Sequence, residues 1–201
     1  MKLFDLFVKN LFDFALSLLG LIFFFPVILL AWIVASIETK SNGMFLQQRV
    51  GKNGKLFTIL KIKTMKMIEG VETCITQKND VRITKSGAFF RRTKIDELPQ
   101  LWNIFIGQMS FVGPRPDVKG YADKLEDDSR IILSIRPGVT GPASLRYRHE
   151  EELLSKQKDP KKFNNEVIWP AKIKININYI DNWSFFRDLH YIYLTITGKN
   201  D

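Results

Sequence analysis

The sequence predicts an α+β protein: one apolar N-terminal helix followed by a small, mainly helical domain that carries a β-hairpin. Three observations predict it. Residues 14–37 form a run of 24 positions without a charge. Two strand-like stretches between residues 44 and 64 flank an Asn-Gly pair. After residue 86, apolar side chains recur at helical spacing, interrupted by Pro and Gly.

The apolar run of 24 residues would reach roughly 36 Å as a straight helix, enough for a hydrocarbon core of about 30 Å. It is too long for a signal peptide, and no clear small-residue cleavage site follows it. Pro26 falls at its centre, where it removes a backbone hydrogen bond and kinks a helix. Each half would span roughly 18 Å. A kinked single span and a re-entrant hairpin therefore both fit. Lys2 and Lys9 flank one end, Lys40 and Arg49 the other, so positive charge does not choose between them. Asp13 is expected at the membrane–water boundary. Residues 1–40 are read as the membrane-associated part and residues 41–201 as one folded domain.

Met44–Val50 and Lys55–Thr64 read as strands, and Asn53-Gly54 between them is a hairpin signal. Phe57, Ile59, Lys61 and Lys63 share one face of the second strand. Residues 69–86 are expected as a loop. Helices are expected from Ser86, over Asp96–Ile106 with Gly107 as its stop, over 117–134, and from the acidic cluster Glu150–Glu152. Gly113-Pro-Arg-Pro116, Arg136-Pro-Gly138 and Gly141-Pro142 read as constrained loops. Near the C-terminus, Trp183, Phe185, Phe186, Leu189, Tyr191, Ile192 and Tyr193 are crowded together. They suit either the headgroup level of a membrane or an ordinary core.

Formal charges cancel over residues 1–40, so the net +9 lies entirely in residues 41–201. A basic domain beside an apolar anchor suits an anionic membrane surface, a phosphate-rich substrate or nucleic acid. Cys74 is the single cysteine, which excludes an internal disulfide. No Walker loop, dinucleotide-binding glycine pattern or Cys/His metal cage is present. His149 and His190 are isolated and read as surface residues.

Arg91-Arg-Thr-Lys-Ile-Asp-Glu-Leu-Pro-Gln100 is the most informative stretch for chemistry. Asp96 and Glu97 sit at an expected helix start, downstream of Arg91, Arg92 and Lys94. Two carboxylates in that setting can hold Mg²⁺ on a diphosphate, or one can attack phosphorus. The plain alternative is an N-cap followed by a first-turn acid. Arg115 stands between two prolines on a stiff backbone, which suits a preset phosphate clamp. The alternative is a rigid turn with Arg115 in water. Arg136, Arg146 and Arg148 repeat the pattern of arginine near constrained loops.

Together, Gln48-Arg-Val-Gly51, Lys61-Ile-Lys-Thr-Met65, Asp96-Glu-Leu-Pro-Gln-Leu-Trp-Asn103, Met109-Ser-Phe-Val-Gly-Pro-Arg-Pro116 and Arg136-Pro-Gly-Val-Thr-Gly141 resemble the bacterial sugar transferases, the monotopic phosphoglycosyl transferases. Order and spacing match over almost the whole chain. The resemblance implies a re-entrant membrane helix bent at Pro26, with the catalytic domain on the cytoplasmic face of the bacterial inner membrane. It implies Asp96 as nucleophile on the β-phosphate of a UDP-sugar, with UMP leaving. A polyprenyl (undecaprenyl) phosphate then accepts the phosphosugar. Glu97 is implied in binding Mg²⁺, with Asp96, or in taking the acceptor's proton. Arg91, Arg115, Arg136, Arg148 and Lys61 are implied as phosphate or nucleotide contacts. The implied partners are UDP-sugar, polyprenyl phosphate and membrane lipids, without nucleic acid. Three departures stand out: Phe25 precedes Pro26 where the family has serine, Gln108 replaces an aspartate, and Pro142-Ala-Ser-Leu-Arg-Tyr-Arg148 replaces a Trp-containing loop. Two other classes are a non-catalytic, membrane-tethered binder of nucleotide or anionic lipid, and a tethered nucleic-acid binder. Turnover separates the first, and salt-sensitive oligonucleotide binding the second.

Overall fold

A computed structural model describes residues 2–67 and 80–199. Cys74 and most of the loop expected over 69–86 lie outside the described residues.

Helix α1 spans Leu3–Thr39, with Pro26 inside it. Leu19, Ile22, Phe23 and Phe25 are 61–76% exposed, so the apolar stretch is not a buried core helix. Its length and hydropathy suit a membrane. The helix ends in a closed turn. Trp32 Nε1 donates to Asn42 Oδ1, and Gly43 N donates to Ser36 Oγ. A Cβ on Gly43 would lie 2.3 Å from the Trp32 carbonyl oxygen, so only glycine fits there.

Strands β1 (Met44–Val50) and β2 (Leu56–Ile62) pair as the Asn-Gly signal predicts. Asn53 and Gly54 both take positive φ, 57° and 77°, to close the connection. On β2, Phe57 and Ile59 are buried, and Lys61 is half-buried on the same face. Helix α2 (Lys85–Thr93) starts at Thr84, whose hydroxyl accepts from Gly87 N.

The next helix begins later than expected. Ile95–Glu97 form a 3-10 turn, and α3 covers only Gln100–Phe105. Pro99 has no N–H to reach the Ile95 carbonyl, which accepts from Leu98 N instead. The helix expected over 117–134 is also replaced by 3-10 turns, Ala122–Lys124 and Asp127–Leu133. Positive φ at Gly120 (111°) and Asp127 (48°) interrupts any α-helix there. Two stretches within loop-like sequence are strands: β3 (Ser110–Val112) and β4 (Gly138–Thr140) pair in parallel, Ser110 opposite Gly138. Helices α4 (Pro142–Arg146), α5 (Glu150–Ser155) and α6 (Pro160–Phe163) follow, α5 beginning at the expected acidic cluster. A π-turn over Asn164–Ile168 leads to α7 (Trp169–Asp181), and α8 covers Phe185–Thr197.

The chain forms two compact units. The terminal unit holds Met1–Phe14, Gln48–Phe57 and Ile106–Asp201. Its core joins Val50, Val112, Ile132, Ile135, Tyr179 and Ile180. The inner unit holds Ala15–Gln47 and Thr58–Phe105, with Ala31, Ala35, Ile62 and Phe90 as its core.

Within the terminal unit the start of α1 belongs to the folded domain. Asp13 is 1% exposed, and Phe111 N donates to its Oδ1. Lys9 is 4% exposed and pairs with Asp188 on α8. Phe12 packs edge-on against Phe185, centroids 5.2 Å apart. The crowded C-terminal aromatics divide. Trp183, Tyr191 and Ile192 pack on the core, while Phe186, Leu189 and Tyr193 are exposed.

Candidate active site

The inner unit brings together Lys61, Arg91, Asp96 and Glu97. Strand β2 presents Lys61, whose Nζ donates to Glu97 Oε1 at 2.8 Å. Arg91 lies in the last turn of α2. Its Nε donates to Thr64 Oγ1 at 2.8 Å, and its Nη2 lies 3.1 Å from Met65 Sδ. Lys94, at φ 61°, ends α2 and leads straight into the 3-10 turn that carries Asp96 and Glu97.

Asp96 is not a cap: its Oδ1 is buried and accepts no hydrogen bond among the described residues. The 3-10 turn itself starts without a side-chain cap. Burial, and then the neighbouring Glu97 carboxylate, raise the Asp96 pKa above the usual aspartate value, while Lys61, Lys94 and Arg91 oppose the rise. Lys61, Lys94 and Arg91 thus bring positive charge to the dyad.

A buried carboxylate oxygen without a partner is costly unless a ligand completes it. Asp96 Oδ1 thus offers one free, negatively charged oxygen, while Glu97 is held by Lys61. No group of three acidic or other ligating side chains that could hold a metal alone occurs among the described residues. That donor set fits Mg²⁺, which takes one or two carboxylates and completes its shell with phosphate oxygens and water.

The terminal unit holds the remaining candidates, Arg115, Arg136 and Arg148. Arg115 is exposed on Gly113-Pro-Arg-Pro116, and that loop is clamped. Gly113 N donates to the Thr140 carbonyl and Gly138 N to that of Pro114. Val50 N donates to the Asp117 carbonyl, and Arg49 Nη1 to that of Pro116. A Cβ on Gly138 would lie 2.1 Å from Gly113 N, so this close approach requires glycine. The parallel pairing of β3 with β4 is thus what holds Arg115. Asp117 beside it has its pKa pushed up to about 6 by burial, against the pull of Lys172, Arg49 and Arg115.

Arg136 lies against Gly107, where a Cβ would be 3.1 Å from its Nη2. Arg148 holds the end of α8: its Nη1 and Nη2 donate to the carbonyls of Gly198 and Leu194. His149 and His190 are exposed, as expected. Sequence reasoning passed over the buried Lys9–Asp188 pair and Asp117. An acid in an amphipathic helix and an acid beyond a proline carry no signal until packing buries them.

The chain matches the bacterial sugar transferase family over residues 4–199. It is 35% identical over 195 residues to a UDP-glucose:undecaprenyl-phosphate glucose-1-phosphate transferase of Klebsiella pneumoniae, covering 94% of this chain and 39% of that one. It is 38% identical over 149 residues to a putative undecaprenyl-phosphate N-acetylgalactosaminyl 1-phosphate transferase of Bacillus subtilis, covering 72% and 79%. To an undecaprenyl-phosphate galactose phosphotransferase of Salmonella typhimurium it is 31% identical over 207 residues, covering 94% and 40%. The chain thus spans about two fifths of the Klebsiella and Salmonella proteins. With the match extending from the start of α1 past the end of α8, the chain belongs to the bacterial sugar transferase family.

Proposed function

We propose that this protein transfers a sugar 1-phosphate from a UDP-sugar to undecaprenyl phosphate at the cytoplasmic face of a bacterial membrane, as a membrane step of glycan assembly. The observation that carries this reading is the free, buried Oδ1 of Asp96 beside Glu97, which Lys61 holds. The names of the relatives supply the acceptor class, undecaprenyl phosphate, and differ in the sugar.

In this reading Asp96 attacks the β-phosphorus of the donor. The bond from that phosphorus to the bridging oxygen breaks, and UMP leaves with the electron pair. An acyl phosphate joins Asp96 to the sugar phosphate. An oxygen of the polyprenyl phosphate then attacks the same phosphorus, restoring the carboxylate and giving a polyprenyl diphosphosugar. Lys61 orients Glu97, which takes the acceptor's proton. Arg91, fixed by Thr64, and Lys94 lower the potential energy of the phosphate charges. Arg115 and Arg136 are the proposed phosphate contacts of the terminal unit. Mg²⁺ on Asp96 and Glu97 would supply charge neutralisation to the diphosphate.

We further read α1 as re-entrant. Residues before and after its apolar run, Met1–Phe14 and Gln48–Phe57, both enter the terminal unit, which favours one face for both flanks. Cysteines placed at positions 2 and 40 should label from the same side of a sealed vesicle. Labelling from opposite sides would overturn that topology.

The decisive assay is UMP release from a panel of UDP-sugars with undecaprenyl phosphate and Mg²⁺. Release that needs the acceptor and vanishes in Asp96→Asn supports the reading. Donor binding without release would make the protein a membrane-tethered nucleotide binder instead.

A further inference from the structure

We propose that Asn103 is a positioning residue for the dyad: its side-chain amide takes the place of a strand beside β2 and so fixes where Glu97 meets Lys61. This deepens the transfer reading and rests on Asp96 and Glu97 being its site.

Among the described residues, β2 has a strand neighbour, β1, on one edge only. Lys63 N donates to the Gly43 carbonyl, so odd-numbered positions turn their backbone groups toward β1 and even-numbered ones turn them away. The outer edge therefore presents the Thr58 carbonyl and the Leu60 N–H, and both need a partner. Asn103 supplies both. Its Nδ2 donates to the Thr58 carbonyl at 2.8 Å, and its Oδ1 accepts from Leu60 N at 3.1 Å. A residue of a parallel strand makes the same two bonds, to the carbonyl of one position and the N–H two positions on. The carboxamide thus imitates one peptide unit of an absent strand. Its orientation follows from chemistry, because an N–H must meet Oδ1 and a carbonyl must meet Nδ2. Asn103 is 1% exposed, so water does not compete for these bonds.

The consequence is register. A helix held on a strand by apolar contacts alone can shift along it. A paired amide cannot, because a slip of one residue, about 3.3 Å, brings the wrong backbone groups to the edge. Leu60 immediately precedes Lys61 on β2, and Asn103 lies on α3, just beyond the 3-10 turn that carries Glu97. The 2.8 Å bond from Lys61 Nζ to Glu97 Oε1 therefore joins two segments that Asn103 already locks together. That ion pair cannot set the register itself, since Lys61 reaches Glu97 through a flexible four-carbon stem that tolerates a shift. All of these groups lie within the inner unit.

The test has two arms, both on the full chain in detergent. Asn103→Asp keeps the side chain's shape but sets a carboxylate oxygen against the Thr58 carbonyl. With UDP-sugar, undecaprenyl phosphate and Mg²⁺, it should lower kcat for UMP release about 10²-fold and leave the donor KM within about threefold of wild type. Lys61→Met should cost far less in the Asn103→Asp background than in wild type, because both act on one pair. Losses that simply multiply would make Asn103 a residue of stability alone and overturn the proposal, as would a wild-type kcat in Asn103→Asp. The second arm needs no turnover. A chain carrying Cys74→Ser, Lys61→Cys and Glu97→Cys is treated with a short bifunctional thiol reagent. Adding Asn103→Asp should slow the internal cross-link at least about tenfold in protein that still unfolds cooperatively. An unchanged rate overturns the proposal. Should Asn103→Asp fail to fold, the smaller, uncharged Asn103→Ser takes its place in both arms. Slowed cross-linking, with no UMP release by wild type from any donor, would uphold the register role and bring down the transfer reading instead.

Discussion

Asp188 and Asp96 are both aspartates beside cations, yet they are partnered in opposite ways. Asp188 is 2% exposed and accepts from Lys9 Nζ, Trp183 Nε1 and Tyr179 Oη, so both oxygens are occupied by donors. Asp96 has three cations in its neighbourhood and leaves a buried oxygen without a partner. A saturated carboxylate is tied to its donors and cannot attack anything. An unsaturated one keeps a lone pair available, and its raised pKa records the cost of keeping it so. The difference separates a carboxylate that holds the protein together from one that, in the function proposed above, is held ready for a substrate.

Exchanging function for stability at these two positions is the strongest way to break the comparison. Asp96→Asn should reduce UMP release by at least about 10³-fold, while thermal unfolding in detergent stays where it is or moves up. Asp188→Ala should do the reverse, lowering stability by about 3–5 kcal/mol because Lys9 is left buried and unpaired. Pairing Lys9→Met with Asp188→Leu should recover much of that loss. An Asp188→Ala protein that melts like wild type would end the distinction.

Asp117 is an intermediate case, half-buried near Lys172, Arg49 and Arg115 with Glu150 opposing them. Its pKa is about 6 folded against 3.8 for the ordinary group. The folded state therefore holds its proton longer, and this group's contribution to stability declines as pH rises from about 4 to 6, by about 3 kcal/mol in all. Asp117→Asn should flatten that decline in melting curves measured across the window. A wild-type slope left unchanged in the variant would place the titration elsewhere. The smallest effect is expected at Arg148. Arg148→Ala removes two hydrogen bonds at the end of α8 and should cost about 1 kcal/mol, with UMP release per folded molecule preserved. A large loss of release without loss of stability would move Arg148 among the substrate-binding arginines.

Much of this was legible in the chain. The uncharged run, the Asn53-Gly54 turn and the acidic start of α5 are local signals, and each became the expected element. The dyad and its neighbouring cations were legible because they are adjacent in sequence. The 3-10 turn under the dyad was not: a missing N–H at Pro99 acts through Ile95 and Leu98, and periodicity cannot register so small a shift. β3 and β4 were missed because three residues show no alternation, and their partner lies almost thirty positions away. The C-terminal aromatics could be sorted only once α8 had a buried side.

The sequence by itself determined the apolar anchor, the basic domain, and the residue types at the dyad and on the Gly-Pro-Arg-Pro loop. Those follow from composition and short-range spacing, which need no knowledge of packing. Tertiary structure alone decided that Asp96 keeps a free oxygen, that Asp188 does not, and that Asp13 is buried. It also decided that Arg115 stands on a loop clamped by β1 and β4. Burial and hydrogen-bond partners belong to pairs of residues far apart in the chain, so no reading along the chain can contain them.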